Sequence, residues 1–184
     1  MAALTNKIDF AVILEVNNAN PNGDPLNGNR PRVNYDGLGE ISDVCIKRKI
    51  RNRLLDRGHK IFVQSDDYRV DDYPSLRARA EGELKDAMHD AEEMAKAACQ
   101  KWIDVRAFGQ VFPFKGSKGR KGEGVSIGIR GPVSIHPAFS VAPVTVTSIQ
   151  ITKSVSTETT DGKRGSDTMG MKHRVDHGVY VFYG

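Results

Sequence analysis

A chain of 184 residues, 39% of them hydrophobic and 27% charged, can bury one real core in a single domain with insertions, which excludes a disordered tail. The net charge of +4 and a pI near 9.1 suit a nucleic-acid partner only if the cations cluster, so their placement matters more than their number. The two cysteines, Cys45 and Cys99, stand far apart without a second ligand at metal spacing and read as reduced packing residues, and the lack of a signal peptide or bilayer-length apolar run points to a cytoplasmic protein.

Lys7 to Val16 carries the apolar run Phe10-Ala11-Val12-Ile13-Leu14, the pattern of a central strand covered on both faces. The segment to Glu40 is dense in Asn, Gly and Pro and reads as a long structured loop in which Gly23, Gly28, Gly37 and Gly39 can turn the chain. Ser42 is a natural N-cap, with Asp43 beside the positive end of the helix dipole, and Gly58 a natural stop. Within that helix Ile46, Ile50 and Leu54 form a core row, while Lys47, Arg48 and Arg51 share a flank. A strand, a turn-rich loop and a cationic helix in succession bring backbone amides and positive charge to one sheet edge, which is a grip for a polyanion. The bland reading of the same basic run is a solvated helix face.

Lys60 to Gln64 reads as a short strand, and the acidic stretch from Asp66 to Tyr73 as a connector ending at Pro74, a residue suited to a helix's first turn. One long helix is expected next, because Leu76, Ala80, Leu84, Ala87, Met88, Ala91, Met94, Ala95, Ala98 and Trp102 recur at three and four. Gly82 weakens it locally, and Met and Trp at that spacing are core residues before they are ligands. In the glycine-rich segment that follows, Lys115, Lys118, Arg120 and Lys121 belong either to a plain surface loop or to a nucleic-acid contact.

Val125 to Ile129, Val133 to Ile135 and Val144 to Thr152 read as strands, and residues 154–165 as an exposed polar excursion with a turn at Asp161-Gly162. Val179 to Tyr183 has the composition of a core strand, and its position at the end of the sequence leads us to expect a truncated form of a longer protein. His173 and His177 stand four apart, a zinc spacing on a helix, but Gly178 and the flanking Val and Tyr residues favour a turn into a strand, so no metal is assigned. No Gly-rich stretch ends in Gly-Lys-Ser or Gly-Lys-Thr before a helix, which argues against an NTPase; no cofactor is expected.

The run Asn20-Pro21-Asn22-Gly23-Asp24-Pro25, then Asn29-Arg30-Pro31-Arg32, then Ser42 through Arg51 closely resembles the Cas-seven family of CRISPR-associated proteins, nearest its type I-C branch. The resemblance continues in order through Asp104-Val105-Arg106-Ala107-Phe108-Gly109, Gly131-Pro132-Val133, Ile151-Thr152-Lys153-Ser154 and Met169-Gly170-Met171-Lys172-His173. It implies an α+β fold: a modified RNA-recognition-motif (ferredoxin-like) palm with an antiparallel sheet, over residues 1–65, 104–152 and 176–184. A helical fingers insertion at 66–103 and a β-hairpin thumb at 153–175 would complete it.

The implied role is a non-enzymatic backbone subunit of Cascade that polymerises along CRISPR RNA and displays the guide for pairing with target DNA. Its partners would be the CRISPR RNA, copies of itself and other Cascade subunits, with no membrane. A subunit that holds any guide must contact phosphate and sugar, which carry no sequence information. The residues suited to that are Asn20, Asn22, Gly23, Arg30, Lys47, Arg48, Arg51, Arg106, Phe108 and Lys153. Met169 and Met171 are candidates for an apolar wedge between bases, or else core plugs on a loop. Two other classes stay open: a metal-dependent endoribonuclease of a type III-like complex, using Asp24 or Asp36, and a free-standing RNA-binding module. Asp24 between Gly23 and Pro25 is also explained by an Asx-type turn.

Overall fold

The computed structural model describes residues 4–88, 90–113, 126–152, 159–160, 163–164 and 169–184. In chain order the elements are β1 (Ala11–Ala19), β2 (Gly23–Asp24), β3 (Arg30–Pro31), β4 (Leu38–Ile41), α1 (Asp43–Asp56), α2 (Leu76–Glu83), α3 (Ala91–Lys101) and α4 (Ile103–Phe108). They continue with β5 (Gly109–Pro113), β6 (Ser126–Arg130), β7 (Ala138–Pro143), β8 (Val146–Thr152), β9 (Thr159–Thr160), β10 (Lys163–Arg164) and β11 (Met169–Tyr183). The result is a mixed α/β chain with antiparallel sheets, divided into a sheet unit (residues 1–45 and 135–184) and a helical unit (46–134).

The sheet unit is organised by β11. It pairs with β1 from Ala11↔Tyr183 to Ala19↔Val175, with β8 from Met169↔Thr152 to Val175↔Val146, and with β7 at Tyr180↔Ser140; β4 then pairs with β7. Val16, Ile41, Ile135, Ala138, Val175, Tyr180 and Phe182 are buried there. The apolar run of β1 does not make it a central strand covered on both faces: Ile13 is 73% exposed, and β11 is its one paired neighbour among the described residues. β-branched residues favour extended backbone at an edge as well as at a centre, so composition did not distinguish the two. Val133 to Ile135 forms no strand. Pro132 and Pro137 bracket it and supply no ladder donors, and β7 begins only at Ala138. β11 starts at Met169, so Met169, Met171, His173 and His177 stand on a strand and not on a loop or turn.

At the start of α1 the Ser42 hydroxyl accepts from Cys45 N at 3.3 Å, as an N-cap does, and Gly58 beyond its end takes φ +81°. In the helical unit Lys60 to Gln64 forms no strand. Ile61 and Phe62 are buried, and the Phe62 and Val63 amides are taken by the Asp104 carboxylate at 2.8 and 3.1 Å where a neighbouring strand would otherwise be needed. The expected long helix is two helices and a single-turn 3-10 segment at Lys85–Ala87. Asp90 caps α3 by accepting from Glu92 N and Glu93 N, both at 2.8 Å, which starts a new helix inside the periodic run. The periodicity survives the break: Ala80, Leu84, Met94, Ala98 and Trp102 are buried together with Phe62, Val105 and Phe112. Phe62 lies 4.6 Å from Trp102 and 5.0 Å from Phe112 between ring centroids.

Candidate nucleic-acid interface

The loop after β1 is wired to itself. Asn22 Oδ1 accepts from both Ser42 N and Ser42 Oγ at 2.9 Å, and Asn20 Nδ2 donates to the Asn29 carbonyl at 2.7 Å. A β-carbon on Gly23 would stand 1.8 Å from Asn29 Oδ1, so a larger residue there would displace the Asn29 side chain from the β2–β3 hairpin. Asp24 accepts from Leu26 N at 3.2 Å and faces Arg32 Nη2 at 3.4 Å. Asn20, Asn22, Gly23 and Asp24 are thus engaged in shaping the loop, the last as the Asx-type turn expected of it. Arg30 differs: its Nη1 reaches out of the loop to donate to Ser148 Oγ on β8 at 2.7 Å, beside His173 of β11.

In the helical unit the three cations of α1 diverge. Arg48 is exposed and donates to the exposed Asp67 carboxylate at 2.9 and 3.2 Å, a pair screened by solvent and worth little to stability. The Ser65 hydroxyl first, then the Asp67 amide and Arg48, hold the Asp67 carboxyl below its usual range. Arg51 turns inward with its side chain 15% exposed, donates Nε to Asp104 at 3.1 Å, and lies 5.2 Å over the Phe108 ring. The cation on that ring is therefore Arg51 and not the neighbouring Arg106, which is exposed. Lys47 is half-buried one turn before Arg51.

Asp104 is the buried anchor beside these cations to which motif reading gave no role. It is 1% exposed, and with two amides and one guanidinium on its two oxygens it fixes the 60–64 segment, α4 and the Arg51 head in one place. Its position at the head of Asp104-Val105-Arg106-Ala107-Phe108-Gly109 was the available signal. A cleft of about 360 Å³ in the same unit is lined by Asp71, Arg79, Glu83 and Lys101, which are paired with one another. Among the described residues no three His, Cys, Asp or Glu are grouped to hold a metal ion, and no helix is long and apolar enough to cross a membrane.

The family description CRISPR-associated protein Cas7 matches residues 6–184. The chain belongs to the Cas7 family. A Cas7 protein of Haloferax volcanii is 28% identical over 190 residues, covering 97% of this chain and 56% of the relative, so the chain spans about half that protein's length. A chain in a solved structure titled "CRISPR RNA-guided surveillance complex, pre-nicking" is 16% identical, with a TM-score of 0.48, covering 95% of this chain and 63% of that one.

In this Cas7-family chain, Met169 and Met171 are 66% and 56% exposed at alternate positions of β11, with Gln150 Nε2 at 2.7 Å from Met169 Sδ. Exposure removes the core-plug reading of both. Lys153, Lys115, Lys118, Arg120, Lys121 and the Asp161-Gly162 turn lie outside the described residues. Asp36 is exposed at the tip of the loop before β4.

Proposed function

We propose that this chain is a CRISPR-RNA-binding backbone subunit of a type I Cascade complex, nearest the type I-C branch. In this reading it polymerises along the guide in the prokaryotic cytoplasm, presents it for pairing with target DNA, and does not cut. Family membership across residues 6–184 carries the reading. An antiparallel sheet with a helix-bearing insertion between β4 and β7 is compatible with the α+β palm of this reading. Residues 66–103 then supply the fingers and 153–175 the thumb, with Met169 and Met171 as its wedge. Arg106 and Lys172 are exposed and meet no carboxylate among the described residues, as contacts to a sequence-blind phosphate backbone require. The protein co-expressed with a repeat-spacer RNA is expected to form an extended oligomer in electron micrographs. A monomer at saturating RNA would overturn the proposal.

A further inference from the structure

Arg30, Ser148 and His173 converge from β3, β8 and β11 into one hydrogen-bonded group. Arg30 Nη1 lies 2.7 Å from Ser148 Oγ and 3.5 Å from His173 Nδ1, and Ser148 Oγ lies 2.9 Å from the same Nδ1. A guanidinium can only donate, so Ser148 Oγ accepts from Arg30, and the hydroxyl's own hydrogen is then free to go on to Nδ1. In the arrangement where Oγ donates to Nδ1, Nε2 is the ring nitrogen that carries the proton. Gly28 lies beside that nitrogen: a β-carbon on it would stand 3.9 Å from Nε2, and Gly28 holds φ +56°, where a side chain is disfavoured.

The charge balance points the same way. Of the arginines in the sheet unit whose side chains are described, Arg32 faces Asp24 and Arg174 faces Asp176, whereas Arg30 meets no carboxylate among the described residues. An arginine held in position by a hydroxyl and an imidazole keeps its charge for an external anion, and its planar fork matches a phosphate.

We propose that Arg30 and His173 form a cradle for one phosphodiester of a bound RNA strand, with Ser148 as the positioning residue between them. Arg30 supplies the charge and His173 Nε2–H a directed donor, while Gly28 puts no side chain beside that nitrogen. The cradle rests on the RNA-binding reading above and adds to it two residues from strands far along the chain. No bond is made or broken in it.

The test uses the full chain and fluorescence anisotropy with a labelled single-stranded RNA of mixed sequence over a salt series. Arg30→Ala and His173→Ala should each weaken binding roughly tenfold, and Arg30→Ala should lower the salt slope by about one. Arg30→Lys should keep the slope and lose affinity, because a point charge replaces the fork. Ser148→Ala should weaken binding in the native background and add little to Arg30→Ala, since the two act as a unit. Arg30→Lys and His173→Gln approximate the native packing, so the test survives if the alanine variants fail to fold. Failure of the native chain to bind RNA sinks the RNA-binding reading. Binding that is unchanged by all the Arg30 and His173 variants sinks the cradle alone. Arg30-dependent binding of inorganic phosphate with unaltered RNA affinity would make the site one for free phosphate and overturn the cradle.

Discussion

A buried carboxylate must find donors for its charge or give it up, and Asp104 finds three: the Phe62 and Val63 amides and Arg51 Nε. Asp104→Ala strands both amides and leaves Arg51 without its counter-ion, so urea unfolding should show a loss of about 3–5 kcal/mol. Arg51→Ala should cost nearly as much, which makes it a poor probe of nucleic-acid binding. Tyr180 presents the opposite case. Its side chain is fully buried, its hydroxyl has no hydrogen-bond partner among the described residues, and burial pushes the phenol's pKa upward. Tyr180→Phe removes the unsatisfied group and keeps the ring, so the variant should match or exceed the native chain, by up to about 1 kcal/mol in the same measurement.

At the scale of elements, ion pairs fasten the helical unit. Arg79, with its side chain 4% exposed, donates Nε and Nη2 to the two oxygens of Asp71 at 2.8 and 2.7 Å and Nη1 to the Phe62 carbonyl at 2.7 Å; Lys101 pairs with Glu83. The hydrogen bond from Arg79 foremost holds the Asp71 carboxyl below its usual range, and that from Lys101 foremost does the same for Glu83. A carboxyl whose pKa is depressed by folding adds stability above its unfolded pKa and loses it as pH falls through the folded value. Stability followed by circular dichroism should therefore drop below about pH 4, and Asp71→Asn with Glu83→Gln should flatten that acid limb while lowering stability at neutral pH. Trp102→Ala, which removes the largest ring from the aromatic cluster, should cost about 3–5 kcal/mol at any pH.

The same elements show what the sequence made legible. Apolar spacing located the core of the helical unit, because burial of Ala80, Leu84, Met94, Ala98 and Trp102 depends on spacing whether or not the helix is continuous. The break itself was hidden: Asp90 reads as one more polar residue until its carboxylate is seen on two amides. Lys60 to Gln64 looked like a strand from its apolar Ile61-Phe62-Val63, and what takes the place of a strand partner is a side chain from a distant helix, a bond with no local signature. The motifs likewise named Arg30 and His173 separately and Ser148 not at all, since the three meet only through the pairing of β8 with β11.

For the whole molecule the central prediction concerns salt. Lys47→Gln with Arg48→Gln spares Arg51 and Asp104, and it should weaken binding to all guide sequences alike and lower the slope of log affinity against log salt by up to about two. A loss confined to some guides would show base readout. The architecture also sets the order in which the protein can form. β1, β7 and β8 each pair with β11, and Ala11 waits for Tyr183. On the ribosome the first strand therefore emerges long before its partner exists, with Val12 and Ile13 bare along an unpaired edge. Folding of this sheet is a late, long-range event, and a chaperone that holds extended apolar segments is the cellular factor its yield should depend on.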